Sequence, residues 1–509
     1  MMSVVELGRP AAGEPNRPMV TLVAMTATIM QVLDTTIANV ALPHMQGSLG
    51  ATQDQIAWVL TSYIVAAAIG TPVTAWLAGR FGRTRLFVVA LSGFTLASIL
   101  CGIAVSLPEI VLFRLLQGLF GAALVPLSQS ILLDTYPRNE TARAMGIFSM
   151  GVMVGPILGP IIGGYLTDQY SWRWCFYINV PLGIIAIFGA LAFFPETARR
   201  PGRRLDWMGF GFLSLAIVSL QLALDRGEQQ GWFQSNEIII ETVLTAFALY
   251  MFVVHSTTTA RPFFDVRLFK DRTFVVATAL TSLIFIVFYG SMALLPQMLQ
   301  GELDYPVMTA GLIMSPRGAG TIASILVLRR LGRWFGDRAV IATGLIFNAT
   351  AMYLMSGWSL MVDPSDIIVV GLMQGIGTGF INVPLATIAF SNLAAEVRTE
   401  AAGFYNLMRN IGSAAGVSLS ASQLVEFTQI NHGRLAEFMT PFGHLPSAPG
   451  LSGHAALSML NASLTRQASM VAYINVYWML GALCILILPL VMFLRVGKID
   501  PGHAAVVGE

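Results

Sequence analysis

The sequence predicts an all-α integral membrane protein with about 14 transmembrane helices. Three observations carry this. The chain of 509 residues is 55% hydrophobic and only 11% charged, whereas soluble domains average about 25% charged residues. The apolar residues fall in runs long enough to cross a bilayer. The basic residues collect in every second gap between those runs, the bias that marks cytoplasmic loops.

In order, the runs lie at 20–42, 55–77, 86–105, 110–132, 144–166, 174–194, 207–224, 237–254, 274–299, 308–328, 339–360, 367–390, 402–425 and 470–494. The first follows Arg17-Pro18 and has no clear cleavage site, so it reads as a retained span. The basic gaps hold Arg80, Arg83 and Arg85, then Arg138 and Arg143, then Arg199, Arg200, Arg203 and Arg204. They continue with Arg261, Arg267, Lys270 and Arg272, with Arg329, Arg330, Arg333 and Arg338, with Arg398, and with the tail residues Arg495 and Lys498. Counting Arg9 and Arg17, one side carries about 22 basic residues. The other loops carry four: Arg173, Arg226, Arg434 and Arg466. A miscounted span would break the alternation. Both termini are therefore expected in the cytoplasm. Arg114, Arg317 and Arg409 are left inside spans.

The composition also removes several function classes. Cys101, Cys175 and Cys484 show no CxxC spacing, so neither a disulfide framework nor a zinc site is suggested. The chain has two lysines, Lys270 and Lys498, and no phosphate-binding Gly-x-x-x-x-Gly-Lys-Ser/Thr loop. That argues against an ATP-driven pump. No His-Glu-x-x-His and no paired intramembrane acids suggest a membrane hydrolase. His432, His444 and His454 share the loop 426–469, which is rich in Pro, Ser and Gly, but no acid or cysteine spacing supports a metal there. A net charge of +2 gives no signal for nucleic acid. The expectation is a non-enzyme without metal or cofactor.

Segment 114–165 resembles segment 371–422 at an offset of about 257 residues. Gln117-Gly118 matches Gln374-Gly375, and Gly146, Gly155 and Gly159 match Gly403, Gly412 and Gly416. Gly79-Arg80-Phe81-Gly82-Arg83 has an echo in residues 332–338. Spans 1–6 and 9–14 therefore read as two parallel halves with spans 7 and 8 inserted, an arrangement that rocks about a midplane site in secondary transporters. The corresponding division is a segment 1–19, a six-helix bundle 20–194, a linker with two spans 195–272, a six-helix bundle 273–494 and a tail 495–509.

Within span 5, Gly151, Gly155, Gly159 and Gly163 recur every four residues, followed by Gly164. They make one small-residue face that lets a neighbouring backbone approach. Pro156 and Pro160 remove two helix donors from the same segment.

These residues resemble the major facilitator superfamily, and within it the fourteen-span drug:proton antiporters of the EmrB/QacA type. Leu33-Asp34-Thr35-Thr36 through Pro43 is similar to the family's first-span signature, Arg114-Leu-Leu-Gln117-Gly118 to its fourth-span motif, and the glycine run to its antiporter motif. Leu224-Asp225-Arg226-Gly227 with Trp232-Phe233, and Pro262-Phe263-Phe264-Asp265, point to the EmrB branch. The gating loop between spans 2 and 3 keeps Arg80, Gly82, Arg83 and Arg85, but Ala75 and Gly79 replace its first glycine and its acid. Asp337 in the second copy is a candidate substitute. The resemblance implies a major facilitator fold and proton-coupled export of small amphipathic compounds across a bacterial inner membrane. It implies that the Gly155-Pro156 face forms the seam between halves. It further implies a periplasmic membrane-fusion protein and an outer-membrane channel as partners.

Asp34 is the one acid deep in a span. A carboxylate in hydrocarbon must be neutral, paired or facing water, and one balanced between desolvation and a nearby cation can load and release a proton. Arg114 is the candidate cation: Asp34 lies about 12 Å and Arg114 about 6 Å below the same membrane face, at about 1.5 Å per residue. A static ion pair is the alternative. The implied fold lines the cavity with spans 1, 4, 9 and 12, which makes Asp34, Arg114, Gln117 and Asn382, with Arg317 of span 10, the expected substrate contacts. Arg317 either attracts an anionic or carbonyl-rich substrate or caps carbonyls freed by Pro316. Asn406, Arg409 and Asn410 read as an interface hydrogen-bond network. Asp225, Arg226 and Trp232 fall in the outer loop after span 7, as helix caps or as the lining of a substrate exit. Export of one metabolite, lipid precursor or siderophore stays open beside multidrug export, and a transporter-like receptor is the alternative outside transport.

Overall fold

A computed structural model describes residues 16–137, 140–195, 205–259, 262–394, 397–438 and 453–494. Arg9, Arg138, Arg199, Arg200, Arg203, Arg204, Arg261, His444, Arg495 and Lys498, and with them most of the segments 1–19 and 495–509, lie outside the described residues. So do the side chains of Pro156, Pro160, Arg329, Arg330, Arg333 and His454.

Local sequence sets the helix ends. Helix α1 (Arg17–Leu49) starts at Asn16, whose side chain accepts from Met19 N, and stops at Gly50, which takes the left-handed conformation with φ 63°. Helix α2 (Gln53–Phe81) opens with a Thr52–Gln55 capping box. Gly82, with φ 90°, turns the chain directly into α3 (Arg83–Ile103). The first half continues with α4 (Leu107–Gly121) and α5 (Leu124–Thr135), which form one span, then α6 (Thr141–Gln169), the short α7 (Trp174–Tyr177) and α8 (Asn179–Phe193). The inserted pair is α9 (Trp207–Arg226) and α10 (Asn236–Thr258).

After the short α11 (Val266–Lys270), the second half comprises α12 (Arg272–Gln297), α13 (Val307–Met314), α14 (Pro316–Met355), α15 (Pro364–Phe390), α16 (Arg398–Glu437) and α17 (Gly453–Ile487). Proline lacks an N–H, and Pro316 marks the break between α13 and α14. Gly336, with φ 74°, kinks α14 between spans 10 and 11.

Among the described residues, twelve helical segments have the length and apolarity to cross a membrane. Helices α6 and α16 complete the fourteen spans read from the sequence. Helix α16 is the more polar of the two because it lines an internal cavity, described below. The exposed face is apolar, with Leu96, Phe188, Val243 and Leu486 each more than 60% exposed. Such a surface suits lipid, not water.

The two halves repeat one packing scheme: α1 packs on α6 as α12 packs on α16, and α2 on α4 as α14 on α15. Across the interface, α2 meets α16 and α6 meets α13 and α15. Helices α9 and α10 pack on each other, and α9 also reaches α2 and α16.

The glycine face of α6 lies inside the first half and not between halves. A Cβ at Gly155 would come within 2.6 Å of Val32 Cγ1 and 2.9 Å of Leu33 N, and Gly151, Gly159 and Gly163 likewise face α1. Gly146 of this helix, in contrast, meets the second half, at Ile325 and Val383. The expected seam is therefore corrected: the glycines let α1 and α6 approach closely, and a different face of α6 meets the other half. Gly164 is buried. Gly412 and Gly416 do the same on α16, against backbone carbonyls of Ser282 and Ile286.

Candidate functional site

Helix α4 presents Arg114 and Gln117 one turn apart, on one face toward α1. Arg114 Nη1 lies 2.6 Å from Asp34 Oδ2. Asp34 Oδ1 accepts from Gln117 Nε2 at 2.8 Å and from Asn179 Nδ2 at 2.7 Å. Arg114 also donates to the Val59 carbonyl at 3.1 Å and to Gln117 Oε1 at 2.8 Å. Ser98 Oγ accepts from both amides, at 2.6 Å from Gln117 and 3.2 Å from Asn179. Asp34 and Arg114 are 1% and 0% exposed. A buried charge is tolerable when paired and hydrogen-bonded; Asp34 meets both conditions, while Arg114 Nη2 and Asn179 Oδ1 have no hydrogen-bond partner among the described residues.

The second half carries a related cluster with different chemistry. At the repeat offset, Ser291 stands in the place of Asp34 and Gln374 in that of Gln117. Gln374 Nε2 donates to Ser291 Oγ at 2.9 Å. Gly371 stands in the place of Arg114, and the guanidinium comes instead from Arg317 on α14, whose Nη2 donates to Ser291 Oγ at 2.9 Å. The packing confirms the swap: Gly375 abuts the carbonyl of Arg317 as Gly118 abuts that of Tyr63.

Between the halves is a cavity of about 480 Å³. Its walls include Gln31 and Thr35 of α1, Tyr63 of α2, Gln221 and Asp225 of α9, Tyr289 of α12, and Asn406, Arg409 and Asn410 of α16. Tyr63 links it to the buried pair: its ring centre is 4.2 Å from the Arg114 guanidinium, and its hydroxyl accepts from Gln31 Nε2 at 3.0 Å.

The expected substrate contacts need correction. Asp34, Arg114, Gln117, Arg317 and Asn382 do not line this cavity. The first three are turned toward one another, Arg317 faces into the second half, and Asn382 lines smaller voids. Arg409 does line it, stacked 5.7 Å from the Phe285 ring centre, and Asn406 crosses the halves to Gln129 Oε1 at 2.6 Å. Asp225 and Arg226 end helix α9 and do not lie in a loop. Asp225 faces the cavity and accepts from Thr61, Arg226 pairs with Glu237, and Trp232 Nε1 donates to Ser422 Oγ at 2.7 Å.

At the basic-loop end, Arg83 pairs with Asp134, and Arg398 of the second half lies 3.0 Å from the same carboxylate. Ser130 and Thr399 hydroxyls meet across the halves at 2.9 Å. Asp134 thus supplies the acid that the gating loop lacks, and no hydrogen bond or ion pair of Asp337 was found among the described residues. Arg80 stacks 5.4 Å from the Trp76 ring centre, Gly82 makes the turn and Arg85 is exposed.

Asn179, Ser98, Tyr63, Ser291 and, apart from Asp225, the cavity face of α9 were not anticipated. Carrying the repeat offset back into span 1 leads to Ser291. Asn179 is an amide inside the apolar run of span 6, at the start of α8.

Two six-helix groups related by a repeat, enclosing a cavity beside one buried acid, define a secondary-transporter architecture. The chain belongs to the Major Facilitator Superfamily, whose sequence model matches residues 24–417. It is 36% identical to the multidrug export protein EmrB of Haemophilus influenzae over 91% of this chain and 92% of that one. It is 35% identical to the fatty acid resistance protein FarB of Neisseria gonorrhoeae over 93% and 95%. Among solved structures it resembles the proton:xylose symporter XylE with a TM-score of 0.60 and 13% identity, covering 94% of this chain and 96% of that one. That likeness is one of fold.

Proposed function

We propose that this protein exports small amphipathic or hydrophobic compounds across the bacterial inner membrane by alternating access, in exchange for protons. Family membership and relatives named for multidrug export support efflux. The observation that carries the coupling is the sealed Asp34–Arg114 pair. A proton arriving at Asp34 removes one charge of the pair, weakens the tie between α1 and α4 and frees Arg114. Because Tyr63 touches both Arg114 and the cavity, that change reaches the substrate walls. Arg83, Asp134 and Arg398 latch the basic-loop end, which the positive-inside bias makes cytoplasmic. The cavity reaches Glu228 at the opposite end. A periplasmic membrane-fusion protein and an outer-membrane channel complete the export route in this reading.

The test is flux of a fluorescent amphipathic compound in proteoliposomes under an imposed pH gradient without ATP. Flux that follows the gradient and collapses with an uncoupler supports the reading, and gradient-independent flux contradicts it. The relative named for fatty acid resistance favours a narrower range of acidic amphiphiles. Faster export of a dicationic dye than of an acidic uncoupler would refute that version.

A further inference from the structure

The second half buries a guanidinium without its acid. Arg317 is 6% exposed. Its Nη2 bonds Ser291, while Nε and Nη1 have no hydrogen-bond partner among the described residues. No carboxylate interacts with it among the described residues; its guanidinium lies 5.3 Å from the Phe288 ring centre, and on α17, which packs against α14, the buried Tyr477 hydroxyl also lacks a hydrogen bond. In the first half the same frame is neutral, because Asp34 balances Arg114. Here Ser291 brings no charge, and its own hydroxyl is committed to the Phe288 carbonyl at 2.9 Å. An uncompensated cation out of water is strongly unfavourable.

There is also room. Gly371 is buried, yet a Cβ added to it would meet a single atom within 4 Å, Arg317 N at 3.9 Å. This is the position where the first half places the whole Arg114 side chain. Gln374 Oε1 is unpartnered. Turning that amide over presents its N–H to the same space; its oxygen then takes the Ser291 hydroxyl hydrogen in place of the Phe288 carbonyl, a choice that hydrogen-bond satisfaction decides.

We propose that the second half binds a small monovalent anion of halide size between Arg317, Tyr477 and Gln374, where it serves as the counter-charge that Asp34 supplies in the first half. The anion is a fixed structural charge and not the exported compound. The inference stands independently of the transport reading.

The test is thermal unfolding of the purified full chain in sodium chloride, sodium bromide and sodium gluconate at one ionic strength. A ligand that binds only the folded state raises the melting temperature by mass action. Chloride and bromide should give a saturable upward shift over gluconate. Ser291→Asp should abolish that shift, because the new carboxylate neutralises Arg317 from within. Equal melting temperatures in chloride and gluconate for the unaltered protein, or an undiminished shift in Ser291→Asp, would overturn the proposal. A second measurement needs no variant: equilibrium binding of radioactive chloride. Saturable uptake of one ion per chain supports the site, and no saturable uptake removes it.

Discussion

Asp34 and Ser291 occupy the same place in the two halves, and each accepts a hydrogen bond from a glutamine at the same repeat position. Around them the charges differ. In the first half a carboxylate and a guanidinium on α1 and α4 cancel, held by three donors to the acid. In the second half the acid is gone and the guanidinium has moved from the fourth helix of the repeat to the second. The shared parts are those that set helix packing: the glycines, and the glutamines that bridge helices. The parts that differ are the titratable ones. Repetition thus preserved a frame, and the protonatable group stayed in one copy.

The largest effect that sharpens this contrast is on transport. Asp34→Asn should reduce gradient-driven efflux to the level of protein-free vesicles while the protein still purifies as a folded species, and Ser291→Ala should retain most of the flux. Similar losses in both would erase the functional asymmetry.

Stability gives the next test. Arg114→Met leaves Asp34 buried without its cation, and breaking one side of a buried pair costs about 3–5 kcal/mol. In gluconate, Arg317→Met removes a charge that has no acid partner, and the melting temperature should hold or rise. A large drop in both variants would show that Arg317 has a compensating acid after all.

A smaller effect concerns what the halves share. Gly155→Ala and Gly412→Ala should each destabilise by about 1–3 kcal/mol through overpacking, since both glycines abut a neighbouring helix. If only one is costly, the two rails are not equivalent.

The smallest effect is at the latch. Arg398→Gln should change stability by less than about 1 kcal/mol, because its partner Asp134 is 30% exposed. Spin-label distances across the basic-loop end should nonetheless broaden, since one of the ties between halves is cut.

The helices and their order were legible because hydrocarbon imposes one length and one composition on every span. Span 13 was the exception that informs: its Asn406, Arg409 and Asn410 belong to the cavity wall, so its polarity marked a function. The Asp34–Arg114 pairing was legible from the similar depths of the two residues together with the adjacency of spans 1 and 4 that the family resemblance implies. The direction of the glycine face was not. Small residues announce close packing without saying which helix approaches, and the partner was α1 and not the other half. Nor could the sequence show that α9 would line the cavity, because the inserted pair lies outside the repeat. Ser291 was hidden for another reason: a lone serine in an apolar span has no signal until the repeat register identifies it with Asp34.

The most direct test of the central claim compares two fluxes in the same proteoliposomes bearing Asp34→Asn: accumulation of a fluorescent amphipathic compound against its own gradient under an imposed pH gradient, and its downhill exchange without one. The account predicts that accumulation is lost and exchange persists, because the proton site is gone and the cavity is intact. Accumulation that persists at the level of the unaltered protein would contradict it and place the coupling group elsewhere.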